Sequence, residues 1–103
     1  MKKIKINVLR NPIMPSIPRL EMEDGFTMSV QAGSHSYSTP REMVGEYEEL
    51  EVGFPSECEP LLEEYAEDSA DLTETVYGYV PAEVILEVIE KHGGLVSKVI
   101  EEV

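Results

Sequence analysis

The chain has 103 residues, 42% of them apolar, with 21 acidic against 8 basic side chains for a net charge of −13. That length fits one domain with a real core, and the apolar share excludes general disorder. The charge disfavours direct binding to nucleic acid, whose phosphates call for clustered Lys and Arg, and an anionic membrane surface for the same reason.

Ile4, Ile6 and Val8 alternate with Lys3, Lys5 and Asn7, which predicts a half-buried strand from Lys3 to Leu9. Pro12, Pro15 and Pro18 recur at a spacing of three, and with Arg10 and Arg19 beside them form overlapping P-x-x-P ligand patterns. The apolar Ile13, Met14 and Ile17 favour an extended segment packed at an edge instead. Leu20 to Met22 and Phe26 to Gln31 flank Glu23-Asp24-Gly25, a hairpin signal that puts Phe26, Met28 and Val30 on one face. Ala32 to Arg41 is small, polar and turn-rich, hence a loop.

Glu46 to Phe54 predicts a strand with Leu50, Val52 and Phe54 inward and Glu49 and Glu51 outward. Pro60 suits the first position of a helix that begins near Glu59 and turns Leu61, Leu62, Tyr65 and Ala66 to the core. Thr73 to Val80 reads as a strand, with Tyr77 and Tyr79 on one face and Val76 and Val80 on the other. Pro81 opens a helix with Val84, Ile85, Val88 and Ile89 as its apolar stripe and Glu83, Glu87 and Glu90 opposite. Lys91 suits the negative end of the helix dipole, His92 helps cap it, and Gly93-Gly94 stops it. Leu95, Val96, Val99, Ile100 and Val103 repeat the stripe and predict a short peripheral helix over 95–103, with a face for self-association into a homo-oligomer. The whole reads as one α+β domain, residues 1–103, with a mostly antiparallel sheet of about five strands and two to three helices packed on one face.

No stretch reaches the ~18 apolar residues of a membrane span. The charged start Met1-Lys2-Lys3-Ile4-Lys5 lacks the apolar run of a signal peptide. Cys58 is the one cysteine, so no internal disulfide forms, and a cytoplasmic location follows. Phosphate-binding glycine loops, nucleophile elbows and paired metal-ligand motifs are absent, and neither a cofactor nor a metal is expected. Glu67, Asp68 and Asp71 lack the alternating oxygen ligands and glycine of a calcium loop. Cys58 sits among acids with no basic neighbour to favour a thiolate, which argues against a reactive thiol.

Charge is distributed unevenly: residues 1–41 hold six bases and three acids, whereas residues 42–90 hold sixteen acids and no Lys or Arg. Soluble surfaces normally mix both signs. The asymmetry points to a partner-binding role in which Glu46, Glu48, Glu49 and Glu51 meet a basic protein surface and Tyr47, Tyr77 and Tyr79 supply anchors. Crowded carboxylates repel, which predicts raised acid pKa values and a fold stabilised by added salt. A second reading is a small-ligand site or enzyme in the loop Ser34-His35-Ser36-Tyr37-Ser38-Thr39-Pro40-Arg41, with His35 as base and Arg41 as anion binder.

The phrases Gly53-Phe54-Pro55-Ser56 and Thr75-Val76-Tyr77-Gly78-Tyr79-Val80-Pro81 look like those of small phage-type proteins, and the acidity of the chain resembles that of anti-CRISPR and related anti-defence inhibitors. The resemblance covers general character and transfers no site residues. It implies a non-enzymatic module, encoded by a phage and acting in the host cytoplasm, that occupies a positively charged, nucleic-acid-binding surface of a host protein.

Overall fold

Alternation at Ile4-Lys5-Ile6 makes a strand that buries one side and leaves its lysine in water. In the computed structural model, which describes residues 2–103, that strand is β1 (Ile4–Ile6). It is followed by β2 (Leu20–Glu21), β3 (Thr27–Gln31), β4 (Glu46–Tyr47), β5 (Glu49–Gly53), a 3-10 helix (Pro60–Tyr65), β6 (Val76–Pro81), α1 (Ala82–Lys91) and β7 (Ile100–Glu102).

The strands form two antiparallel sheets among the described residues, not the one sheet expected. The first runs β4-β1-β7, with Ile4 opposite both Tyr47 and Glu102 and Ile6 opposite Ile100. The second runs β2-β3-β5-β6, with Val30 opposite Val52 and Leu50 opposite Val80. Both sheets feed one core: Ile4, Tyr47 and Ile100 from the first, Met28, Val30, Leu50, Val52, Tyr77 and Val80 from the second. Ala82, Ile85 and Val88 of α1 close it, with Leu62 of the 3-10 helix. Each buried Val, Leu, Ile or Met side chain among these contributes about 1.5–3 kcal/mol.

The hairpin follows its sequence signal. Gly25 takes φ +93°, Asp24 Oδ1 accepts from the Phe26 N–H at 2.9 Å, and Phe26, Met28 and Val30 are all buried.

Two differences from expectation share one cause. The predicted strand 46–54 is split at Glu48, because burying Tyr47 together with Leu50 needs an odd step that a straight strand does not allow. The chain turns there, β4 joining one sheet and β5 the other. In β6, Tyr77 and Val80 are both buried at the same odd spacing, and Val52 faces Tyr77 while Leu50 faces Val80. The extra residue is a bulge, and Tyr79 takes φ +53° within it. Tyr77 and Tyr79 therefore do not share a face.

Segment 95–103 is not a helix. Its β-branched Val96, Val99, Ile100 and Val103 favour extended chain, Gly93 and Gly94 hold positive φ, and β7 pairs along β1. The predicted helix after Glu59 is a six-residue 3-10 turn, since Ala66 is already extended and bridges to Tyr77. Phe54 lies past the end of β5 with φ +50° and is exposed. Of the proline segment only Ile17 packs, while Leu9, Ile13 and Met14 are exposed.

Candidate functional site

The outer side of the β5–β6 pair carries the residues that face away from the core. Leu50 and Val52 point inward, so Glu49 and Glu51 point outward. The chain leaving the 32–38 loop crosses this outer side. Thr39 pairs with Glu49 (N···O 2.9 Å) and accepts from the Glu48 N–H (3.0 Å), and the Tyr37 carbonyl accepts from the Tyr79 N–H (3.0 Å). Glu51 accepts from the Tyr37 N–H at 3.1 Å, and Glu49 from the Thr39 hydroxyl at 2.6 Å. Gly78 makes room for the crossing, since a Cβ there would lie 3.3 Å from Tyr37 Cβ.

The bulge turns Tyr79 outward beside Tyr37, with ring centroids 5.9 Å apart, and the two rings are 42% and 41% exposed. Two hollows open on this side, and the second is lined by both rings. One, of about 580 Å³, is lined by Glu48, Glu49, Tyr65, Pro81, Glu83 and Val84. The other, of about 290 Å³, is lined by Tyr37, Tyr65, Glu67, Gly78 and Tyr79. Tyr65 is common to both. Burial pushes its phenol pKa up, and the Glu64, Glu49 and Glu83 carboxylates add to that. The face is thus a tyrosine floor rimmed with carboxylates. Its cation is Arg41, whose guanidinium stands 5.5 Å from the Tyr37 ring centroid.

Glu48, Glu49, Glu51 and Tyr79 come together on this face. Glu46 does not: it lies on β4, opposite Lys5 in the other sheet. Tyr47 and Tyr77 are corrected as anchors, because both are wholly buried. The Tyr47 hydroxyl donates to the Glu42 carbonyl (2.7 Å) and accepts from Arg10 Nη2 (2.8 Å) and the Val44 N–H (3.0 Å). The Tyr77 hydroxyl donates to the Leu72 carbonyl. Tyr37, Tyr65, Glu67 and Glu83 take the vacated places. Sequence reasoning did not join them to this face because they come from the 32–38 loop, the 3-10 helix, the bend after it and α1, and no local pattern links those elements.

His35 and Arg41 are not gathered into one pocket. His35 lines a cleft of about 320 Å³ together with Pro12, Pro15, Gln31 and Met43, whereas Arg41 lies over Tyr37 and does not line it. Ser38 is buried, its hydroxyl engaged with the Gly33 N–H (3.1 Å) and the Pro40 carbonyl (2.9 Å). Among the described residues no group of His, Cys, Asp and Glu has the arrangement of a metal site. Nor, among the described residues, is any helix long and apolar enough to cross a membrane.

Crowding was expected to raise carboxyl pKa values, yet the two displaced carboxyls, Asp24 and Glu59, are lowered. For Asp24 the Phe26 N–H acts most, then His92. At Glu59 burial opposes ionisation, but hydrogen bonds from the Leu61 N–H, Lys91 and His92 together outweigh it. Donors, not repulsion, dominate where carboxylates meet the protein interior. No family model, curated protein or solved structure matches the chain.

Proposed function

We propose that this protein is a non-enzymatic binding module whose carboxylate-rimmed tyrosine face receives a basic surface of another protein. The observation that carries the reading is the convergence of Tyr37, Tyr65 and Tyr79 with Glu48, Glu49, Glu51, Glu67 and Glu83 on one face. Tyrosine supplies large, rigid contact area at small entropic cost, and carboxylates steer a cationic partner and set its register. In its finer form, the module is an inhibitor of the anti-defence kind that covers a nucleic-acid-binding surface.

The test is binding to an immobilised polyarginine peptide, read by interferometry at low and moderate salt. The wild type is expected to bind, with affinity falling as salt rises. The triple variant Glu48→Gln/Glu49→Gln/Glu51→Gln and the single variant Tyr79→Ala are each expected to lose about tenfold or more, the worth of about 1.4 kcal/mol. The variant Glu87→Gln/Glu90→Gln removes charge from the outer side of α1 and keeps most of the affinity. Equal loss in both acidic variants would mean that net charge acts and the face does not.

A further inference from the structure

Away from that face, His92 is buried at the end of α1 with a carboxylate on each ring nitrogen. Nδ1 lies 2.6 Å from Asp24 Oδ2, in the β2–β3 turn. Nε2 lies 2.7 Å from Glu59 Oε1, at the cap of the 3-10 helix. Ionised carboxylate oxygens only accept, so both ring nitrogens must donate, and only the imidazolium has two N–H groups. Phe26 stacks on the ring at 4.1 Å, a position that suits a cation. The other charged groups around it are Lys91, bonded to Glu59 at 2.9 Å, Glu23, whose Cβ stands beside Gly93, and Glu90 in the last turn of α1.

We infer that His92 is held as an imidazolium and works as a proton-dependent clasp between α1 and the β2–β3 turn, one that opens at Asp24 and stays closed at Glu59 when the proton leaves. The side to open follows from exposure. The Glu59 side chain is 1% exposed and that of Asp24 48%. A neutral ring keeps one N–H, and leaving the buried carboxylate without it is the costlier choice. The remaining proton therefore sits on Nε2. The Nδ1 lone pair then confronts Asp24 Oδ2, and Asp24 turns into water.

Burial works against the charge on His92, but its bonds to Glu59 and Asp24 prevail and hold its pKa above the ordinary 6.5. The clasp is therefore complete below 6.5 and weakens as pH rises through the raised value. At the acid end it weakens as Glu59 and Asp24 protonate below their ordinary 4.5 and 3.8.

The test is long-range proton–nitrogen NMR of the His92 ring on the full chain from about pH 5 to about pH 10, with amide exchange followed in parallel. At neutral pH both ring nitrogens are expected to show imidazolium shifts. Below the ring's titration midpoint the exchange of the Asp24–Phe26 amides, corrected for base catalysis, is expected to rise about tenfold for each pH unit and to level off above it, while the Leu61 and Leu62 amides stay protected. In Asp24→Asn the amide can donate to a neutral Nδ1, so the titration midpoint falls and the turn stays protected at high pH. A neutral ring at pH 7, an Asp24→Asn midpoint equal to that of the wild type, or loosening at Leu61 and Leu62 in place of the turn would each overturn the inference.

Discussion

Glu59→Gln tests how much of the fold hangs on one buried carboxylate. Glu59 accepts from three donors: the Leu61 N–H at 2.9 Å, Lys91 Nζ at 2.9 Å and His92 Nε2 at 2.7 Å. Glutamine keeps the volume and one acceptor oxygen, which can still cap the 3-10 helix. Its NH₂ group must face His92, which then has to be neutral and accept. The variant so exchanges a charge-assisted hydrogen bond, worth about 1.5–3 kcal/mol, for a neutral one of about 1 kcal/mol. The Lys91 pair adds about 0–1 kcal/mol, because that lysine is half exposed. The sum is about 2 kcal/mol, which for a chain of 103 residues lowers Tm by about 8–10 °C. Calorimetry near pH 6 reads it. At pH values above the raised His92 pKa the wild-type bond to Glu59 remains but its donor is a neutral ring, so the gap between the two proteins should narrow. A fall of less than about 2 °C, or a gap of equal size at both pH values, would refute the assignment of that energy to the imidazolium–carboxylate bond.

Further outcomes follow from the same geometry. Moderate salt should raise Tm through screening of the exposed carboxylates; a Tm that stays flat or falls as salt is added would count against net repulsion. Arg10→Lys should lower the urea midpoint by the equivalent of about 1–2 kcal/mol and speed amide exchange over residues 11–16. The guanidinium bonds the Pro15, Ala32 and Val44 carbonyls and the Tyr47 hydroxyl, a fork that an ammonium does not reproduce. Tyr77→Phe should cost about 1 kcal/mol by leaving the Leu72 carbonyl without its donor, and unchanged stability would mean that water replaces the hydroxyl there.

Local chemistry was legible in the sequence wherever it is self-contained. Asp24-Gly25 makes the hairpin, and the stripe Val84, Ile85, Val88 and Ile89 makes α1, though Ala82, Ile85 and Val88 are its deeply buried positions and Val84 and Ile89 its shoulders. What was not legible is set by partners distant in sequence. The apolar spacing of 95–103 fits a helix as well as a strand, and the open edge of β1 decides between them. His92 read as a helix-capping residue, yet Asp24 and Glu59 stand 68 and 33 residues away from it along the chain. Half of the tyrosine face was likewise invisible, since Tyr37 and Tyr65 reach it from elements that no periodicity connects.

The two odd spacings join fold to function. A strand alternates strictly, so Tyr47-x-x-Leu50 and Tyr77-x-x-Val80 cannot both be buried in straight chain. Each conflict is resolved by a local distortion: the turn at Glu48 and the bulge at Tyr79. The distortions put four residues to other use. Glu48 and Glu49 become consecutive half-exposed residues at the edge of one hollow, while Gly78 and Tyr79 lift out of the sheet to meet Tyr37 at the other. A regular β6 would have kept Tyr77 and Tyr79 on one side, both inside or both out. The bulge lets the chain place one tyrosine in the core and offer the next to solvent. Packing demand from the core thereby builds the outward face on which the proposed binding role depends.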